Sequence, residues 1–366
     1  MGSRTSFLWL TGHQRNVGDS MLRRPYAHYV ADVSDIRIWA GDINEGYIDG
    51  LDVDESSLSP SFASWYKEFV RHSLRGDANL VFNAGEFVVT KAYFVGMVAL
   101  FPWILLSRLR GGKVIWVGAG IARIRRGFFA PFKLLAKLSD VLYWRDTTSG
   151  ELAGIGKSAP DWGFSLESGG SSSVLSENTA NSFPGFEGRS SICISLRGDR
   201  QYPSSEWIEA IRDLGQRTGL KIVTVSQVMD DNEYAERLAK ELDAEAVVWP
   251  GGDHFEQELR VREIYRSAAV AFSDRLHGLV IAATEGAVPL GWTEATTAKL
   301  ARHFDLVGSD WTKPGEDMLG AINDLTSQQL QDLFEKNSHT VENARAQIKA
   351  VAIEIQQAID PSSNNE

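Results

Sequence analysis

The chain carries a single cysteine, Cys193, set in an apolar run, so no disulfide framework and no cysteine-based metal site can form within it. That scarcity suits a reducing compartment. A signal peptide is not apparent either: Phe7-Leu-Trp-Leu10 is too short for its apolar core, and the expected location is the cytoplasm. Basic residues are in deficit. With 37 Lys and Arg against 48 Asp and Glu the net charge is −11, and the pI is near 5.2. A protein that binds nucleic acid in general leans on a basic surface to displace counterions, so nucleic acid is excluded as the main partner. Ligand sets with metal-binding spacing are not apparent either, and the expectation is no metal and no bound cofactor.

What is present is an ordinary globular composition, 43% hydrophobic and 23% charged over 366 residues, long enough for two domains. Short apolar runs alternate with helical patterns, which implies parallel sheets. In the first half the strands are expected at Phe7 to Leu10, Ile36 to Trp39, Leu80 to Phe82, Val114 to Val117 and Val141 to Trp144. In the second half strands are expected at Ile192 to Leu196, Ile222 to Val225, Ala246 to Trp249, Ala268 to Phe272 and Val288 to Trp292. Helices are expected between them over Glu206 to Arg217, Asn232 to Leu242 and Phe255 to Ala268, with another from Ala295 to Phe304. Residues 165–190 are rich in Ser, Gly and Asn and read as a linker. The division is therefore 1–164, a first α/β domain; 165–190, the linker; 191–325, a second α/β domain; and 326–366, a helical segment and tail. Within the tail, Ser327 to Ile359 forms one or two amphipathic helices with apolar residues at helical spacing.

Chemistry concentrates at Ser273-Asp-Arg-Leu-His-Gly278. A buried strand ends there, a helix runs to Thr284, and Gly286 closes it. Arg275 and His277 then lie at the carboxyl edge of a parallel sheet, where open α/β sheets bind ligands, and the helix opening near Gly278 favours an anion. Histidine, with an ordinary pKa near ~6.5, can hold or release a proton at neutral pH; the alternative for His277 is a core histidine satisfied by backbone. Arg197, in Ile192-Cys-Ile-Ser-Leu-Arg-Gly-Asp199, emerges from another buried strand. Its guanidinium suits bidentate contact with carboxylate or phosphate, or else a domain-interface ion pair. After the first strand comes Gly12-His-Gln-Arg-Asn-Val-Gly-Asp-Ser20: Gly12 and Gly18 permit a tight loop, Asn16 can bond a hydroxyl or the backbone, and Asp19 can cap the next helix.

Asp274-Arg-Leu-His-Gly278, followed by a short helix and Gly286-Ala-Val-Pro289, resembles the signature of the polysaccharide pyruvyl transferase family, whose members move pyruvate from phosphoenolpyruvate onto sugar hydroxyls as a ketal. Asn16-Val-Gly-Asp19 is similar to the loop that opens that family, and Trp144-Arg-Asp146 and Pro160-Asp-Trp-Gly-Phe164 resemble further segments that read as scaffold. The resemblance implies two Rossmann-like domains whose parallel sheets face a cleft, glycosyltransferase-B-like, with the C-terminal helix packing back across both. It implies that His277 and Arg275 are catalytic, and that Arg197, Arg275, Gly278 and Lys299 bind phosphoenolpyruvate in the second domain; a solvated helix face is the other reading of Lys299. His13, Asn16, Gly18, Asp19 and Glu86 are assigned to the acceptor side in the first domain. Two departures are visible. Asn83-Ala-Gly-Glu86 replaces a glycine-rich run with a bulkier, acidic loop, and Gly118-Ala-Gly-Ile121 lacks the histidine some relatives place there, so an acid/base role held there falls to another residue, His13 being a weak candidate, or is absent.

Ala92 to Leu106 is uncharged, and Arg108 to Lys137 holds eight basic residues and no acidic one, with Phe128, Phe129 and Phe132 interleaved. Pro102 and the short length argue against a spanning helix. The combination suits attachment through 92–137 to the inner face of the cytoplasmic membrane, where a lipid-linked oligosaccharide acceptor is found; a buried helix followed by a basic loop is the alternative. The expected product is a pyruvylated sugar in a cell-surface polysaccharide or glycolipid precursor. The competing readings are a nucleotide-sugar-dependent glycosyltransferase of the same architecture and a non-catalytic sugar-binding scaffold.

Overall fold

Strands whose two faces are both buried read as continuous apolar runs, and parallel strands need a crossover between them. The computed structural model follows that logic; it describes residues 4–42, 45–88, 90–123, 126–167, 185–293, 299–309 and 311–362. Two compact units emerge from the packing: Met1–His13, Leu22–Trp162 and Gln347–Glu366 make the first, and Gln14–Met21 with Gly163–Ala346 the second.

In chain order the first part runs β1 (Thr5–Trp9), α1 (Val17–Ala31), β2 (Asp35–Trp39), α2 (Glu45–Leu51), α3 (Phe62–Arg75), β3 (Ala78–Phe82), β4 (Gly85–Val88), α4 (Lys91–Leu109), β5 (Val114–Arg123), α5 (Arg126–Lys137), β6 (Val141–Trp144), α6 (Thr147–Ala153) and β7 (Lys157–Ser158). Its sheet is parallel, in the order β2-β1-β3-β5-β6-β7. β3 pairs with the start of β5 (Leu80 with Val114) and β4 with its end (Gly85 with Ala119), so the short Asn83-Ala84 link lets one long strand serve two short ones. One face of this sheet is covered by α3, α4 and α5, whose Trp65, Phe69, Leu100, Ile104, Phe132 and Leu135 share a core with Phe7, Trp9, Phe82 and Trp116.

The second part runs β8 (Ser191–Ser195), α7 (Ser205–Thr218), β9 (Lys221–Val225), α8 (Asn232–Leu242), β10 (Glu245–Val247), α9 (His254–Ser267), β11 (Ala268–Ser273), α10 (Leu276–Thr284), β12 (Val288–Thr293), α11 (Lys299–Leu306), β13 (Thr312–Pro314), α12 (Gly315–Asp324) and α13 (Ser327–Ile359). Its sheet is again parallel, β10-β9-β8-β11-β12-β13. Alternation within the strands feeds two cores: Ile192, Ile194, Val270 and Phe272 pack with α7 and α12, while Cys193 and Ala271 pack with Val261, Tyr265 and Ile281. Ser204 caps α7 and Asp253 caps α9, which anchors each helix start by about 1 kcal/mol.

Two stretches group differently from the division expected at 164/191 and 325/326. Gln14–Met21 joins the second unit because its backbone is hydrogen-bonded there: Val17 N–H donates to Gln227 O (3.2 Å) and Met229 N–H to Arg15 O (3.0 Å). The helical tail is one continuous helix, α13; through Ala346 it groups with the second unit, where Asn337 donates to the carbonyls of Ala283 and Ala287. From Gln347 onward it groups with the first, where Glu354 accepts from Tyr143 Oη at 2.6 Å. Of the expected linker, 168–184 lies outside the described residues. The expected helix from Ala295 is described only from Lys299 onward.

Candidate active site

In the second sheet the chain leaves β8 toward β9 on one side and later returns to β11 on the other, so β8 and β11 are the pair at which strand order reverses. Ligands of open α/β sheets bind beside the carboxyl ends of such a pair. Arg197 follows β8 and Arg275 follows β11. Ser273 ties the two strand ends together, its hydroxyl donating to Ser195 O at 2.6 Å and accepting from Arg275 N–H at 3.0 Å.

The two arginines are held differently. Arg275 stands just ahead of α10 and binds Asp231 through two N–H groups, Nε and Nη2 (2.6 Å for the latter). This pair is nearly buried, with 16% of the Arg275 side chain and 3% of Asp231 exposed, and Asp231 also accepts from Gly198 N–H at 2.8 Å. A buried, doubly bonded pair of that kind fixes the guanidinium in one orientation, with no protein partner for Nη1 among the described residues. Arg197 instead forms a fork with Asp199, two residues on, at 2.8 and 2.7 Å. Asp199 is largely exposed, and the neighbouring guanidinium holds its carboxyl down at about 2. An exposed local pair contributes little, so Arg197 can re-aim at modest cost. Arg15 and Asp230 form a third, exposed pair at 2.7 Å.

Asp274 lies between the two arginine positions. One oxygen accepts the Arg197 N–H at 2.9 Å, and burial pushes the carboxyl up to about 6 despite that bond and both cations. His277, on the first turn of α10, is half-buried, and its ring backs onto Gly18: a Cβ there would sit 2.2 Å from Nδ1. Gly278 is a packing requirement, since a Cβ would meet Ser273 Oγ at 2.6 Å and Gln227 Nε2 at 2.8 Å.

The loop ahead of α1 is organised from below by His254. This fully buried histidine places Nε2 2.8 Å from Gln14 O and Nδ1 2.9 Å from Ser20 Oγ. A carbonyl can only accept, so Nε2 carries the proton; the Ser20 hydroxyl beside Nδ1 also reaches Val17 O, as a donor, at 3.0 Å. Burial lowers the pKa of this ring, consistent with the neutral tautomer. Asn16 rather than Asp19 supplies the oxygen that caps α1, accepting from Gly18 N–H at 3.1 Å; Asp19 sits in the first turn, where a carboxylate suits the helix dipole.

Of the residues expected from sequence, Asn16, Gly18, Asp19, Arg197, Arg275, His277 and Gly278 all belong to the second unit. His13, exposed, and Glu86, exposed on β4, belong to the first. Lys299 opens α11, and its side chain lies outside the described residues. The two departures have local causes. Asn83 donates to Thr11 O at 2.7 Å and accepts from the buried Arg23 at 2.7 Å, tying the loops after β1 and β3 together. A Cβ at Gly118 would meet Trp162 at 2.5 Å, and one at Gly120 would meet Arg145 at 2.8 Å, so no histidine fits there without displacing them. Sequence reading missed Asp231, Gln227 and His254. The acidic pair Asp230-Asp231 shortly after β9 was the available signal, since it leaves the same sheet edge as both arginines. Among the described residues no three His, Cys, Asp or Glu side chains group to hold a metal ion.

The profile of the polysaccharide pyruvyl transferase family matches residues 16–288, from the capping Asn16 to the start of β12. The chain belongs to that family. It is therefore a transferase of polysaccharide biosynthesis, a family that implies a donor and a sugar acceptor. Among curated proteins none matches. Among solved structures, a UDP-GlcNAc 2-epimerase from Neisseria meningitidis, bound to UDP-GlcNAc, is similar with a TM-score of 0.56 at 11% identity, over 95% of this chain and 100% of that one. A glycosyltransferase from Rickettsia africae ESF-5 gives 0.56 at 10% identity over the full length of both. S. aureus MnaA, with UDP, gives 0.54 at 11% over 91% of each. These likenesses establish the two-sheet, glycosyltransferase-B-like fold of this pyruvyl transferase family member and nothing finer.

Proposed function

We propose that this protein transfers pyruvate from phosphoenolpyruvate to two hydroxyls of one sugar, forming a ketal and releasing phosphate, on a lipid-linked precursor of a cell-surface polysaccharide or glycolipid at the inner face of the cytoplasmic membrane. The observation that carries the reading is the pairing of a fixed Arg275 with a re-aimable Arg197 at the strand-order reversal of the second sheet, in a chain of this family. Two guanidiniums and the start of α10 suit a small, highly charged anion with a carboxylate and a phosphate.

In this mechanism a proton is delivered to the methylene carbon of phosphoenolpyruvate, which makes C2 electrophilic. One sugar hydroxyl adds to C2 and gives up its proton, the C2–O bond to phosphate breaks, and the second hydroxyl closes the ketal with loss of a second proton. His277 is assigned the proton transfers. Arg275, held by Asp231, keeps Nη1 for the donor; Arg197 exchanges Asp199 for the donor's carboxylate or phosphate; Lys299 and the Gly278 end of α10 add positive charge. His13, Asn16, Gly18, Asp19 and Glu86 are assigned to the acceptor. Arginines and helix N–H groups offset the donor's charge in this reading, and no metal or cofactor is called on.

Calorimetric titration with phosphoenolpyruvate and, separately, with nucleotide sugars tests it. Saturable phosphoenolpyruvate binding that Arg197→Ala weakens at least tenfold is expected, the scale of a charge-assisted bidentate contact. Binding of a nucleotide sugar in its place would overturn the reading.

A further inference from the structure

Among its described side chains, the exposed positions of helix α4 are apolar after the first. Its exposed positions are Lys91, Val95, Val98, Pro102, Leu105 and Leu109, successively four, three, four, three and four residues apart, which puts all six on one side. A surface helix ordinarily carries charged or amide side chains there. Here five of the six are apolar, and Val95, Val98 and Leu109 are 64%, 50% and 85% exposed. The opposite side, Met97, Leu100 and Ile104, is buried in the first unit's core. Of the aromatic residues expected at a membrane surface, Phe132 is buried in that core, Phe129 is half-buried and the side chain of Phe128 lies outside the described residues; Tyr93, Phe94, Phe101 and Trp103 pack against the core. Pro102 sits within α4 without ending it. The outward apolar surface is aliphatic.

This strip is not confined to one helix. α5 packs beside α4 on the same face of the sheet and exposes Ala130, Leu134 and Lys137 at the same spacing. At the other side α3 ends in exposed Leu74, whose carbonyl accepts from Arg110. Charge marks the same region. From Phe87 to Ser139 the chain has nine Lys and Arg and no Asp or Glu, in a protein of net charge −11.

We propose that the outer face of α4 and α5, rimmed by Lys91, Arg110, Lys133 and Lys137, docks on an anionic phospholipid bilayer and lies in its interface. Aliphatic side chains flanked by cations match the boundary between acyl chains and anionic headgroups. A second copy of the chain is the less suitable occupant, because a symmetric interface would set the same cations against one another. No helix among the described residues is long and apolar enough to cross a membrane, which agrees with a surface-lying mode. The inference deepens the reading of a membrane-borne acceptor, yet it rests on this face alone and not on the donor.

Co-sedimentation of the full chain with phosphatidylcholine vesicles, with and without phosphatidylglycerol, tests it. Binding is expected to the phosphatidylglycerol vesicles, weakened by salt. Val95→Gln/Val98→Gln/Leu109→Gln should lower the partition coefficient by about tenfold or more, given the apolar area removed, and Lys91→Gln/Lys137→Gln by about fivefold per charge. These side chains are exposed, so an unchanged melting temperature is expected and separates lost docking from lost folding. Failure of the parent to bind anionic vesicles, or equal binding by the triple variant, would overturn the proposal. So would a concentration-dependent dimer that the triple variant abolishes. Phosphoenolpyruvate titration of the parent and of the triple variant keeps the two readings apart: retained donor binding with lost vesicle binding in the triple variant supports both, while absent donor binding by a parent that binds anionic vesicles sinks only the donor assignment.

Discussion

At the scale of single residues, the contact between Gly18 and His277 is the tightest constraint on the site. A methyl group at position 18 would sit 2.2 Å from Nδ1, and the ring, standing on a helix packed on all other sides, must shift. Displacements near 1 Å at a reacting group cost about a hundredfold in rate. Gly18→Ala should therefore lower kcat by that order while the melting temperature stays within a few degrees; steady-state kinetics beside a thermal melt decides, and unaltered turnover would remove His277 from the chemistry. Asp274 gives a second test. Its pKa stands above the ordinary 3.8, at about 6, so the fold favours the protonated acid. Its contribution to stability is complete below the unfolded-state pKa and lost as pH rises through 6. Asp274→Asn keeps an acceptor for the Arg197 N–H and carries no charge, so it should gain up to about 3 kcal/mol over the parent on going from about pH 4 to pH 7.5. Denaturant titrations at the two pH values measure this, and a parent–variant difference that does not move with pH would refute it.

At the scale of elements, α10 carries Arg275 and His277 at its start, and the turn beyond its far end carries a buried ion network. Glu285 accepts from Arg262 Nε at 2.5 Å and from Arg266 Nε at 3.1 Å, and Arg262 also reaches Glu258 at 3.2 Å. Arg262 and Glu285 are shielded from solvent. Breaking a buried pair leaves a charge without its partner and costs about 3–5 kcal/mol, against about 0–1 for a surface pair. Glu285→Ala should lose the larger amount in a denaturant titration; a loss below about 1 kcal/mol would mean that Arg262 is satisfied without it. Elements of this kind divide into those that local pattern reveals and those that it does not. Val141–Trp144 and Asn232–Leu242 were readable to the residue because an apolar run or an amphipathic repeat was bounded by turn or capping residues. β4, β7 and β13 were not, because GEFV, KS and TKP hold no continuous apolar run and are stabilised only by their neighbours. Arg197, Arg275 and His277 were legible because each follows a buried strand. Asp231 and His254 were not, since their partners, Arg275 44 residues away and Gln14 240 residues away, meet them only in the folded chain.

At the scale of the whole molecule, the question is which unit answers to the donor. Arg15, Arg197, Asp231, Asp274, Arg275 and His277 all belong to the second unit, and the stretch that carries Arg15, Gln14–Met21, is the one part of the N-terminal region that does. A ligand that binds only the folded state stabilises it by RT ln(1 + [L]/Kd), about 2.7 kcal/mol at a hundredfold excess over Kd. That stabilisation appears as slower amide exchange in the segments whose opening would disrupt the site. With phosphoenolpyruvate present, hydrogen–deuterium exchange should slow in the loop ahead of α1, in the turns after β8 and β9, and at the β11–α10 junction. α4 and α5, which belong to the first unit and whose outer faces are assigned to a different surface, should be unaffected. Protection confined instead to Asn83–Glu86 and the end of β5 would place the donor on the first sheet and exchange the roles assigned to the two units, leaving Arg197 and Arg275 to hold the acceptor.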